Sequence, residues 1–227
     1  MNRNNLLKAL GVTLFLTGCG KSEFERIMPL NERTARENVT AVVQEQEKTF
    51  GIKYSGEPKI SFEPNPWNEK ILGAGGRYNP CSDEIWISQN YIDKLTISHE
   101  LAHHYTNQLL KKRGIDICKI KQEVPEDDGR RLVYEGIAAY FEIGEKEASW
   151  DTTSVDYKNP GKYEPGNSLK YLKTAYSLVK PILDKDLDKG IIALMKETPG
   201  YRDLKNLLVY RRKILSKLDR KETEKGK

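Results

Sequence analysis

The sequence predicts an α+β fold: a small N-terminal sheet packed on one helix, followed by a mostly helical C-terminal part. Three observations predict it. Residues 52–63 and 84–88 alternate apolar and polar side chains, the period of a half-buried strand. Ile92, Leu95, Thr96, His99, Ala102 and His103 recur at i, i+3, i+4, i+7, and no Pro or Gly interrupts before Gly114. From residue 168 onward three helical stretches follow, the last with an apolar stripe through Leu204, Leu207, Leu208, Ile214, Leu215 and Leu218. A chain of 227 residues suits one domain with appendages and can bury a core.

The formal charge of +5 is spread among many acids in a chain with 31% charged residues, and no Gly-rich phosphate loop, RNA-binding signature or repeat is present. Nucleic acid is therefore not an expected partner.

Residues 1–8 carry Arg3 and Lys8 without an acid, and residues 9–20 run uncharged through Leu10, Val12, Leu14, Phe15 and Leu16. That run is shorter than the roughly 20 residues of a bilayer span and has signal-peptide proportions. It ends in Leu16-Thr17-Gly18-Cys19, which resembles the lipobox of bacterial lipoproteins. The resemblance implies cleavage before Cys19, lipidation of its thiol and membrane anchoring outside the cytoplasm; a simple secretory signal is the alternative. The expected organisation is a signal peptide at 1–18, a tether at 19–30, a domain at 31–218 and a basic flexible tail at 219–227. Cleavage removes Arg3 and Lys8, taking the formal charge from +5 to +3. It leaves Cys81 and Cys118, an even number in an oxidising compartment, so a disulfide is one expectation and two buried thiols the other.

The elements follow in order. A first helix opens at Asn31 as N-cap and runs through Ala35, Val39, Val42, Val43 and Glu47 towards Gly51. Strand-like residues 52–63 bend at Gly56-Glu57-Pro58, and residues 64–76, with Pro64, Pro66, Gly73, Gly75 and Gly76, read as loop. A turn then precedes a strand at 84–88, where Ile85 and Ile87 alternate with Trp86. This strand either lies in the core or edges a cleft, where an extended ligand would pair with it. After the helix ending near Gly114, residues 111–131 form a linker or a functional loop. Further helices are expected from near Arg131 to about Glu147 and at 168–183, 187–196 and 201–218. Arg211, Arg212, Lys213 and the tail read as a solvated face, with anionic lipid as the alternative contact.

The helix preceding Gly114 carries His99-Glu100-Leu101-Ala102-His103, an H-E-x-x-H sequence, and all three histidines of the chain fall at 99, 103 and 104. Residues four apart share a helix face, so His99 and His103 can converge on one ion, with Glu100 placed to reach a water there. His104 lies about 100° further round and is expected to be structural or to edge the cleft. A catalytic zinc usually takes three protein ligands. Glu135, in Tyr134-Glu135-Gly136-Ile137-Ala138-Ala139-Tyr140-Phe141-Glu142, is the leading third ligand. Gly136, Ala138 and Ala139 are expected to let its helix approach the first, and Glu142 to orient a ligand imidazole. Glu142 or the Glu126-Asp127-Asp128 cluster are substitute ligands.

Over residues 76–142, H-E-x-x-H followed by E-G-x-A resembles the gluzincin metallopeptidases, the thermolysin-like superfamily. The resemblance implies a zincin-like fold and one zinc ion held by His99, His103 and Glu135. It also implies Glu100 as general base and a peptide or protein substrate. His103 and Glu135 lie further apart in sequence than their counterparts in thermolysin. Relatives stabilise the oxyanion with a downstream Tyr or His, and no histidine follows His104, so a tyrosine is expected. Tyr163, in a Y-x-x-G stretch resembling that of relatives, comes first, with Tyr140, Tyr157 and Tyr171 behind it. Two other functions stay open: a catalytically silent scaffold for binding or assembly, against which the intact Glu100 weighs, and metal-dependent hydrolysis of a non-peptide ester or amide.

Overall fold

A computed structural model describes residues 32–63, 75–88, 93–118, 128–142, 155, 157, 158 and 169–223. The elements, in order, are α1 (Glu32–Phe50), β1 (Lys59–Glu63), β2 (Gly76–Asn79), β3 (Glu84–Ser88), α2 (Lys94–Lys111) and α3 (Asp128–Phe141). They continue with α4 (Leu169–Leu183), α5 (Leu187–Lys196), α6 (Tyr201–Leu204) and α7 (Leu207–Thr223). The architecture is α+β and mostly helical, with a three-stranded sheet. Residues 1–31, including Cys19, lie outside the described residues.

The order of the sheet is β1-β3-β2, with β1 parallel and β2 antiparallel to β3. This decides the alternatives for residues 84–88. Both neighbours of β3 are occupied, so it is the central strand and has no edge to offer a ligand. Edge strand β2 forms where a loop end and a turn were expected. Strand structure in the 52–63 stretch is confined to Lys59–Glu63, because the chain must first turn through Gly56 at φ 140°.

Helix α2 organises the molecule, with twelve of its eighteen residues buried between two cores. On one side Ile97 and Leu101 pack with Val42 of α1 and with Tyr78, Ile85 and Ile87 of the sheet. On the other, Ala102, Tyr105, Leu109 and Leu110 join the larger cluster built by α3, α4, α5 and α7. Its start is set by Asp93, whose carboxylate accepts from Thr96 N at 2.7 Å. Its end is set by Gly114 at φ 71°, whose N–H bonds Lys111 O while Ile115 N–H bonds Leu110 O. Truncating a side chain as enclosed as Leu101 to alanine costs about 2–5 kcal/mol in such cores.

The C-terminal helices depart from expectation in instructive ways. The stretch expected as one helix over 201–218 is two, α6 and α7, because Asn206 caps α7 by accepting from Val209 N. Helix α7 runs on to Thr223, so most of the segment expected as a flexible tail is helical. Pro181, in the last turn of α4, cannot donate to Ser177 O, and Arg211 of α7 donates to that carbonyl instead at 3.1 Å. Helix α3 starts three residues earlier than expected and stops at Phe141.

Cys81 and Cys118 are joined by a disulfide, with Cα atoms 5.1 Å apart. It ties the β2–β3 turn to the segment leaving α2. Replacing both cysteines by serine should lower stability by about 4 kcal/mol, the loop-closure entropy expected for the 37-residue separation. Urea unfolding of the double variant beside the oxidised wild type measures it.

Candidate metal centre

His99 and His103 sit one turn apart on α2, and Glu135 comes from the middle of α3. The facing His99 Nε2, His103 Nε2 and Glu135 Oε2 define a triad whose ligand atoms all lie within 4.8 Å of one another. Nε2 of His99 is 3.2 Å and Nε2 of His103 3.9 Å from Glu135 Oε2. Bonds of 2.0–2.1 Å at a tetrahedral ion place ligand atoms about 3.3 Å apart, so the spacing accommodates a metal ion. The chemistry of the donors agrees. His99 Nδ1 lies 2.8 Å from Glu142 Oε1, which can only accept, so Nδ1 carries the proton. Nε2 then faces a carboxylate oxygen at 3.2 Å, an arrangement that repels unless a proton or a cation lies between.

Several parts of the fold hold this geometry. Buried Gln46 of α1 donates through Nε2 to Ser98 O and to Phe141 O, and Ser98 Oγ donates to Phe141 O at 2.6 Å. Ser98 precedes His99 and Phe141 precedes Glu142, so this tie brings the imidazole and its acceptor together. Glu142 lies just past the end of α3, rather than two turns along it, and still reaches His99. Ala138 is fully buried in the core shared with Ala102. Gly136 acts elsewhere than expected: a Cβ there would lie 2.6 Å from Ala175 O, so it brings α3 against α4, not α2.

Glu100 is almost fully buried, and β2 shapes its surroundings. A Cβ on Gly76 would lie 2.8 Å from Glu100 Cγ, so only glycine fits beside this carboxylate. Burial drives the Glu100 carboxyl up to about 7, against the lowering effects of the His99 charge and the Tyr78 N–H hydrogen bond. Burial would also raise Glu135, but the His99 hydrogen bond and the charges of His103, His99 and Arg131 outweigh it and hold Glu135 at about 2. In the metal-free protein the two carboxyls thus separate, Glu135 ionised and Glu100 titrating near neutrality.

Behind His103 lies a second layer that the sequence did not suggest. The Tyr134 ring stacks on the imidazole, centroids 4.1 Å apart, and the Tyr78 ring lies 6.4 Å from the same imidazole. Tyr78 OH donates to Asp83 and accepts from Asn107, while His104 Nδ1 lies 2.8 Å from the same Asp83 carboxylate. His104 is fully buried and turned away from the triad, which makes it structural. Burial pushes the Tyr78 and Tyr134 hydroxyls far above the usual tyrosine range, so both stay protonated. The periodicity of α2 and α3 names neither Gly76 nor Tyr78, because their role comes from a strand brought in from outside both helices.

Tyr163, the expected oxyanion donor, lies outside the described residues, as do Glu126 and Asp127. The tyrosines ranked behind it are placed elsewhere. Tyr140 donates to Asp184, Tyr171 is buried in the larger core, and Tyr157 lies under Arg211 of α7. No protein-family model, curated protein or solved structure matches the chain.

Two outcomes are expected. Glu142→Ala should weaken metal binding about 10–100-fold, as loss of an imidazole's carboxylate partner typically does; titration against a chelating dye measures it. In the metal-free protein the two carboxyls act on stability in opposite senses. Glu135, lowered in the fold, adds stability above pH 4.5 that is lost as pH falls towards 2. Glu100, raised in the fold, stays protonated when the unfolded chain has already ionised, so stability declines as pH rises from 4.5 to about 7. Unfolding in chelator at pH 5 and 7.5 should show a loss of up to about 3 kcal/mol that Glu100→Gln removes.

Proposed function

We propose that this protein is a zinc-dependent peptidase of gluzincin type. The observation that carries the reading is the convergence of His99, His103 and Glu135 beside buried Glu100. Two nitrogens and one carboxylate oxygen are donors suited to zinc with a position left for water.

A zinc ion bound there supplies Lewis acidity, lowering the pKa of a water to about 7 and polarising a carbonyl. Glu100, buried beside the triad, accepts the proton of the attacking water and returns it to the departing amine. Glu142 holds the Nδ1 proton of His99 and so keeps Nε2 free to act as a donor to the ion. Gly76 leaves room for the Glu100 carboxylate, and the Tyr78 N–H steadies it.

The surrounding architecture is in keeping with a zincin-like fold. Antiparallel edge strand β2, which packs against α2, lies where an extended peptide can add to the sheet beside Glu100. The lipobox-like sequence at Cys19 and the Cys81–Cys118 disulfide both suit an extracytoplasmic protein held at a membrane by its N-terminal lipid.

Purified protein should hold about one zinc per chain. It should hydrolyse peptides in a reaction that a chelator stops and zinc restores. Glu100→Gln should keep the metal and lose at least about a hundredfold in turnover, the scale of general-base catalysis. Unchanged turnover in that variant, or metal binding without cleavage of any peptide, would overturn the assignment.

A further inference from the structure

We propose that Arg77 is a specificity residue that selects substrates with an acidic side chain, meeting that side chain across the free edge of β2. This rests on the peptidase reading above. Among the described residues β2 pairs with β3 alone and no strand lies along its second edge.

The two faces of β2 divide the work. Gly76 and Tyr78 point inward, one against Glu100 and the other beside His103. Ser88 N–H donates to Gly75 O, so pairs 75/88 and 77/86 are the hydrogen-bonded ones of this ladder and the Tyr78 N–H is turned away from β3, towards Glu100. Arg77, between them, stands on the opposite face and is exposed. Its guanidinium lies 5.7 Å from the centroid of Trp86, its register partner on β3. Trp86 is in turn the register partner of Ser61 on β1. A row Ser61, Trp86, Arg77 thus crosses the outer face, and the next place in it belongs to whatever strand pairs with β2.

A peptide laid along this edge, with a carbonyl presented near Glu100, alternates its side chains between the two faces. The side chain directly opposite Arg77 falls on the outer face with its Cβ about 5 Å from that of Arg77. Stacking on Trp86 already orders the guanidinium, so little freedom is lost when it meets a carboxylate. Arg77 makes no ion pair with a carboxylate among the described residues, and its positive charge would oppose a lysine or arginine at that substrate position. The ligand chemistry is an Asp or Glu side chain in an extended peptide.

A degenerate peptide library digested with and without chelator locates the cleaved bonds. Peptides carrying Glu, Gln or Lys at each flanking position then give kcat/KM. The wild type should prefer Glu over Lys at one position by on the order of tenfold, the scale for opposite against like charges across a strand pair. Arg77→Gln should flatten that preference and Arg77→Glu should reverse it, with zinc content unchanged to show an intact site. Cleavage by both variants with the wild-type order of preference overturns the proposal and leaves the peptidase reading standing. Absence of chelator-sensitive cleavage by the wild type overturns both.

Discussion

The short contact between His99 and Glu142, where α2 meets the end of α3, governs the arrangement of the site. It fixes which imidazole nitrogen carries the proton, and therefore which one faces Glu135. Without it the ring could turn or change tautomer, and the triad would lose a donor. The contact is built on the backbone: Gln46 and Ser98 hold Phe141 O, so that Glu142 leaves α3 at the height of His99. A buried amide in the first helix thus serves a pair of side chains contributed by two others.

The same principle organises the second flank. Glu100 needs a pocket dry enough to raise its carboxyl and open enough to admit the carboxylate. Strand β2 provides both, by placing Gly76 against the side chain and the Tyr78 N–H within reach of it. The β2–β3 turn is in turn clamped to the far half of α2. Asp83 accepts from Tyr78 and His104, Asn107 donates to Pro80 O, and the disulfide binds Cys81 to Cys118. Asp83 adopts φ 55°, a conformation aspartate tolerates better than most residues, which suits a turn that must direct its carboxylate inward. Polar contacts buried between strand and helix therefore position the edge strand as firmly as the apolar packing of Ile85 and Ile87 does.

Helix positions and the pairing of His99 with His103 were legible in the sequence because both depend on local periodicity. A spacing of four places His99 and His103 on one face whatever surrounds them, and the apolar stripe through Leu207, Ile214 and Leu218 declares the buried side of α7. Sheet order was not legible. Alternation in 84–88 reports a strand with two unlike faces but says nothing of its neighbours, and β3 proves central. Nor does sequence tell which partner a small residue serves. Gly136 looked like clearance for α2 and instead admits the backbone of α4 at Ala175.

By itself, then, the sequence determined an α+β chain, a helix presenting two imidazoles and a carboxylate on adjoining faces, and a following helix carrying Glu135. These are properties of residues a few positions from one another, where helical geometry leaves little choice. Only the tertiary structure decided that Glu135 and Glu142 meet the same imidazole and that Gly76 and Tyr78 enclose Glu100. It alone placed β2 beside β3 at one side of the three described strands and turned His104 inward. Those outcomes join residues from 21 to 43 positions apart, and such pairings follow from how helices and strands stack around α2, which local spacing does not encode.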